Sequence, residues 1–204
     1  MEIFLLKGLV IGILFGIPIG AVGAVTVQRT LAHGSWAGIV SGMGSSVADY
    51  LYACVGAFGL TFISDFLLEN QTIINILGGT MILLMGIKML VKQSETTAAK
   101  PNAAGAAKMF LSSFVVGVTN PAAVLTFLFA FSYFGISGQM GFVDGIRLVS
   151  GIFIGTLLWW VALAAIVGVL KNKIVEHGFK NINKVFGVIL LLFSVAIFIR
   201  TIQS

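Results

Sequence analysis

Six stretches of the sequence, residues 8–27, 36–60, 73–91, 109–134, 148–170 and 185–202, are long and almost purely apolar. A helix that crosses a bilayer needs about 20 such residues, because each one advances it by only about 1.5 Å. All six meet or approach that length. Composition closes off the alternatives. Only 9% of the 204 residues are charged and 58% are hydrophobic, against about 25% charged in a soluble domain. So few charges cannot solvate a folded surface, and so much hydrophobicity excludes disorder. The expected fold is an all-α integral membrane protein of six transmembrane helices, with the lipid bilayer as its first partner. The first segment is expected to stay in the membrane as a helix. Glu2 precedes Lys7, and there is no short apolar core followed by a small-residue cleavage site.

Only residues 92–108 (KQSETTAAKPNAAGAAK) are long enough to serve as a linker, and they are polar and alanine-rich. They divide one membrane domain, residues 1–204, into repeat one (1–91) and repeat two (109–204), each of three spans. An odd number of spans per half makes the second half enter the membrane upside down relative to the first. The organisation predicted is two inverted three-helix repeats, the plan of many secondary transporters. Connections one, three and five hold Arg29, then Lys88, Lys92, Lys100 and Lys108, then Lys171, Lys173, Lys180 and Lys184. The other side holds Lys7, Arg147 and Arg200. Cytoplasmic loops carry the Lys/Arg excess, so the odd connections are expected inside and both termini outside. The net charge of +5 is then a mark of topology and not of a nucleic-acid partner.

The halves echo one another. Val40, Ser41 and Gly42 are followed by Tyr50 and Ala53; Val149, Ser150 and Gly151 are followed by Trp159 and Ala162, at one offset of 109 residues. The first and fourth spans each carry an internal proline, Pro18 and Pro121, bracketed by small residues: Gly16 and Gly20, then Thr119 and Ala122. Proline inside a helix removes a backbone hydrogen bond and costs about 3 kcal/mol or more. In lipid such a break persists only where protein or a wet cavity covers it. Paired breaks in two halves point to a transport site. Asn120 is pushed away from helical geometry by the proline after it, and its amide can both donate and accept.

Asp49 is the acidic residue set well inside a span. Insertion of a carboxylate at mid-membrane costs at least about 2.5 kcal/mol, so it should face the bundle interior or water. Three roles are open to it: binding a substrate ammonium, carrying a coupling proton, or pairing with a buried base. The 109-residue offset puts Leu158 opposite, so the site is asymmetric. Gly8, Gly12, Gly16 and Gly20 recur every fourth residue, as do Gly34, Gly38 and Gly42, and Gly151 and Gly155. Small residues at that spacing let helices approach closely, which is the expected role of most of them. Gln28 and Arg29 close the first span at the cytoplasmic face, where they gate it or anchor it, with anchoring the expected role. Tyr50, Tyr52, Trp159 and Trp160 are expected to pack or to anchor at the interface. Cys54 reads as a small buried hydrophobe, His33 and His177 as solvated loop residues, and no His/Cys cluster offers a metal site.

Residues 16–34 (GIPIGAVGAVTVQRTLAHG) resemble the first-span signature of the LysE/RhtB amino-acid exporter family. The Gly38, Gly42, Gly44, Asp49 pattern resembles the next stretch of that family's sequences, and residues 117–123 (GVTNPAA) resemble its second-half Asn-Pro motif. The resemblance runs the length of the chain. It implies a bacterial inner-membrane exporter of amino acids or related small metabolites, driven by a proton or ion gradient, with no cofactor. The family often has proline where Ala21 stands and lysine where Ala122 stands, so the substrate does not transfer with the resemblance. The residues expected to form the translocation site are Gly16, Pro18, Gly20, Asp49, Thr119, Asn120 and Pro121. A homodimer of complete transporters is compatible with this reading. The alternative is a non-transporting membrane scaffold or subunit held together by its glycine faces. An enzyme is not expected: the spans hold no histidine, no His-Glu-x-x-His motif and no pair of acidic residues.

Overall fold

A computed structural model describes residues 3–16, 20–59, 69–91, 102–119, 127, 130, 131, 133, 134, 136, 140–176 and 182–203. Among these residues there are seven continuous α-helices and no strand: α1 (Ile3–Phe15), α2 (Ala21–His33), α3 (Ser35–Phe58), α4 (Gln71–Val91), α5 (Ala103–Val118), α6 (Phe142–Glu176) and α7 (Ile182–Gln203). The helices cover parts of all six apolar segments. Phe142–Lys171 is by itself long and apolar enough to cross a bilayer. At about 1.5 Å per residue, the 35 residues of α6 reach well past a hydrocarbon core of about 30 Å.

The first apolar segment is two helices. α1 ends at Phe15 and α2 starts at Ala21, with Gly20 between them at φ +134° and ψ −159°. That backbone region is essentially closed to residues with a Cβ, so the glycine allows the chain to re-enter a helix. Pro18 lies outside the described residues. At its other end α2 turns tightly into α3 through Gly34, φ +89°, whose amide donates to the Thr30 carbonyl at 2.8 Å. α2 and α3 therefore form an antiparallel hairpin.

α5 begins at Ala103, inside the stretch read from sequence as linker. Asn102 caps it, its side chain accepting from the Gly105 amide at 2.9 Å, and the alanines after it have the highest helix propensity. Residues 92–101 of that stretch lie outside the described residues.

Packing tracks the glycines. α1 lies on α6, α3 on α5 and on α6, and α4 on α7, while α2 touches α3, α5, α6 and α7. In the α1/α6 seam, backbone meets backbone: a Cβ built on Gly12 falls 2.9 Å from the Gly155 Cα, and one built on Gly151 falls 3.0 Å from the Gly8 Cα. Gly8 meets Leu148 and Gly16 meets Thr156, so α1 and α6 run parallel. Gly44 rests against the α5 backbone at Phe110, and Gly117 of α5 against Ala48. The α4/α7 seam is closed by Gly86 and Gly187 and by the Ser194 hydroxyl, which donates to the Gly79 carbonyl at 2.9 Å.

Two apolar cores result. One joins Ile11, Tyr52, Ala53, Phe131, Leu148 and Ile152; the other joins Ala24, Val25, Ile82, Val116 and Leu190. The outer surface stays apolar, with Leu77, Leu84, Val169 and Leu192 all more than 60% exposed. Apolar exposure of this kind marks a surface that meets a membrane or another protein.

Candidate functional site

The site is built where α3 crosses the end of α5. Helix α5 stops at Val118, and Thr119 turns its hydroxyl back onto the Val115 and Val116 carbonyls at 2.8 and 3.2 Å. A helix end leaves carbonyls without intrahelical partners. The Tyr52 hydroxyl of α3 donates to one of them, that of Val118. Thr119 is buried and packed against Gly78 of α4. Asn120 and Pro121 lie outside the described residues.

Asp49 stands one turn before Tyr52 on α3 and one turn after Ser45, residues that share a helix face. Ser45 lies 3.7 Å from a Cβ built on Gly117, so this face is the one turned to α5. Asp49 and Thr119 are thus brought to one seam. Asp49 is half-buried, and among the described residues no basic or hydrogen-bonding group partners it. Gly16 and Gly20 sit elsewhere: Gly16 against Thr156 of α6, and Gly20 with Phe193 of α7 at 3.4 Å from its built Cβ. α2 touches α3, α5, α6 and α7 and stands between the two groups.

Three further polar side chains come to this interior; packing or interface anchoring was the expectation for Trp160, and no role was read from the sequence for the other two. Thr26 (0% exposed), Ser46 (0%) and Trp160 (3%) are buried, and among the described residues their Oγ1, Oγ and Nε1 atoms have no hydrogen-bond partner. Thr30 packs on Gly38. One turn back along α2 and one turn on along α3, Thr26 comes level with Gly42, where Trp160 of α6 packs. Ser46 stands one turn later, next to Asp49. A buried polar group left unpaired costs about 1–3 kcal/mol, and the Trp159 Nε1 is a fourth such atom among the described residues.

At the end of the molecule where α2 finishes and α3 and α5 begin, Arg29 crosses three helices. Its Nη1 donates to Ser41 Oγ at 3.0 Å, Met109 O at 2.8 Å and Ser113 Oγ at 3.0 Å, and its Nη2 to Ser112 Oγ at 2.6 Å. The expectation of a plain interface anchor is therefore corrected: this guanidinium is turned inward and joins α2 to α3 and α5. His33, beyond the apolar part of α2, is held below the ordinary histidine pKa of 6.5 by burial first, then by the Arg29 and Lys171 charges. Arg29 and Lys171 bring positive charge to this end. Cys54 is a free thiol, half-buried beside the first core. Among the described residues no group of three His, Cys, Asp or Glu could hold a metal ion.

Comparison with known proteins adds a family. The chain matches the family described as LysE type translocator over residues 13–201. It is 27% identical over 199 residues, 95% of this chain and 93% of the relative, to a candidate amino acid efflux protein of Bacillus subtilis. It is 29% identical over 145 residues to an uncharacterized membrane protein of Escherichia coli, covering 69% of this chain and 64% of that one. It is 25% identical over 147 residues to a threonine efflux protein of Salmonella typhi, covering 70% of this chain and 69% of the relative. No solved structure gives a significant match.

Proposed function

The chain belongs to the LysE type translocator family, and from that premise we propose that it exports amino acids or related small metabolites across the bacterial inner membrane, coupled to a proton or ion gradient. The observation that carries this reading is Asp49, a carboxylate without a basic partner among the described residues, set beside the interrupted end of α5 and the unpaired hydroxyls of Thr26 and Ser46. An amino acid brings an ammonium for the carboxylate and hydrogen-bonding groups for the hydroxyls. The names of the Bacillus and Salmonella relatives point the same way.

The packing suggests the mechanism. Exchanging the halves turns α1 into α5 and α3 into α6. The α1/α6 contact then becomes the α5/α3 contact, and the α3/α6 and α4/α7 contacts map onto themselves. That pattern supports two inverted three-helix repeats rocking about the central α3/α6 pair, with Gly16, Pro18 and Gly20 serving one half and Thr119, Asn120 and Pro121 the other. Asp49 has Leu158 at the matching place, so a single carboxylate takes the ammonium or the coupling proton. The parallel course of α1 and α6 supports both helices starting on one side; the Lys/Arg excess of the odd connections makes that side the outer one, with both termini outside and the Arg29 end in the cytoplasm.

Efflux from cells tests the proposal. Cells expressing the protein would be loaded with a panel of dipeptides, whose hydrolysis raises free amino acids, and release into the medium measured over time. Selective release of one amino acid above the vector control is expected. Identical release across the panel, with the protein present in the membrane, would contradict the amino-acid reading.

A further inference from the structure

We propose that Arg29 is a carboxylate-binding subsite at the cytoplasmic entrance, receiving the acid group of the cargo before its ammonium reaches Asp49. The inference rests on the export reading above and specifies what that reading leaves open, the group that recognises the cargo's negative end.

Every acceptor that the described residues offer the guanidinium is neutral. Ser41, Ser112 and Ser113 offer hydroxyls and Met109 a carbonyl. Two of these oxygens are engaged in bonds of their own: Ser41 Oγ donates to the Ala37 carbonyl at 2.8 Å, and Ser112 Oγ to the Met109 carbonyl at 3.1 Å. Nη1 has two hydrogens for three acceptors, while among the described residues Nε and the second hydrogen of Nη2 have none. Among the described residues no carboxylate lies within ion-pair distance; the ion pair they contain joins Arg147 to Asp144, at the opposite end of α6 from Lys171. Lys171 adds positive charge nearby. Among the described residues this half-buried guanidinium has no carboxylate partner and keeps an edge of unshared hydrogens. The planar fork of arginine fits a carboxylate through two parallel charge-assisted hydrogen bonds, a match that neutral hydroxyls do not offer and lysine does not reproduce.

The position is also that of an entrance. Arg29 lies one turn from Thr26 toward the end of α2, so a ligand held by its acid group on Arg29 points its other end along α2 toward Thr26, Ser46 and Asp49. The Ser41, Ser112 and Ser113 contacts hold the guanidinium in place and leave its Nε and second Nη2 hydrogens to a carboxylate.

The test uses purified protein in liposomes loaded with threonine, leucine or lysine, with the carboxamides of the same three, or with succinate. Initial release is measured for the unaltered chain, Arg29→Gln and Arg29→Lys, each checked for its thermal midpoint. For any amino acid released, the KM is expected to be at least about tenfold lower than for its carboxamide, the scale of one charge-assisted pair. Arg29→Gln should raise the amino-acid KM to that of the carboxamide and shift the carboxamide KM far less. Arg29→Lys, which keeps the charge and loses the fork, should fall between; it carries the test if Arg29→Gln does not fold. Amino-acid release with an unchanged KM in both variants would overturn the subsite and leave the exporter standing. Arg29-dependent release of succinate without any amino acid would support the subsite and overturn the amino-acid reading. Release of no compound by the unaltered chain would overturn both.

Discussion

Asp49→Asn is expected to lower coupled efflux at least about tenfold while the protein still folds. The change is nearly isosteric and keeps a hydrogen-bonding group at the seam between α3 and α5. What it removes is the negative charge. A hydrogen bond to a charged group contributes about 1.5–3 kcal/mol, so losing the ammonium contact alone weakens binding roughly 10- to 100-fold. If Asp49 instead carries the coupling proton, the asparagine variant still exchanges cargo down its gradient but loses the response to an imposed pH gradient. The two roles are separated by measuring exchange and gradient-driven efflux on the same vesicles. Full gradient-driven efflux by Asp49→Asn would remove Asp49 from the mechanism.

Gly155→Leu is expected to prevent assembly of the α1/α6 seam. The Gly155 position has Gly12 Cα at 2.9 Å and Ile13 N at 3.0 Å from where a Cβ would stand, with the Leu9 carbonyl closer still. These are backbone atoms, which cannot turn aside as a flexible side chain can. Overpacking a tight core costs about 1–3 kcal/mol where neighbours can shift, and here the whole of α1 has to move. The variant should accumulate poorly in the membrane, and what accumulates should melt at a lower temperature in detergent. Gly141→Leu is the control: a Cβ there meets nothing within 4 Å, and no change is expected. Equal accumulation and melting of Gly155→Leu and the unaltered chain would show that α1 and α6 do not meet as described.

The helices were legible because hydropathy and helix length are tied by the thickness of the bilayer. Each apolar segment contains a helix or its beginning, and Gly20 shows in its backbone the interruption that Pro18 and its glycine neighbours announced. The glycine ladder gave the faces that touch but not their partners. Nothing in residues 8–20 says that Gly12 meets Gly155, because the match is one of shape between surfaces distant in the chain. The extent of α6 was hidden for another reason: residues 142–147 and 171–176 include charges that hydropathy excludes from a span, yet they have no difficulty being helical beyond it.

Within the candidate site, Asp49 could be singled out as a carboxylate inside a span and Thr119 as a small residue bracketing Pro121. The inward bonds of Arg29 could not. At a span end an arginine normally reaches outward to the interface, and three of its four acceptors, Met109, Ser112 and Ser113, are 80 or more residues away. Tyr52 was hidden similarly. A tyrosine in a membrane helix suggests an interface belt, and only the ending of α5 at Val118 gives its hydroxyl a carbonyl to cap. Pro18, Asn120 and Pro121 lie outside the described residues, and their place in the site is part of the proposal.

The most direct test of the central claim is amino-acid efflux from liposomes holding only this protein, with the internal and external pH set independently. Saturable release of one class of amino acid is expected, accelerating when a proton gradient is imposed, with loss of that acceleration in Asp49→Asn. Release that is absent, or that is the same with and without every gradient tested and in the Asp49→Asn vesicles, would contradict it.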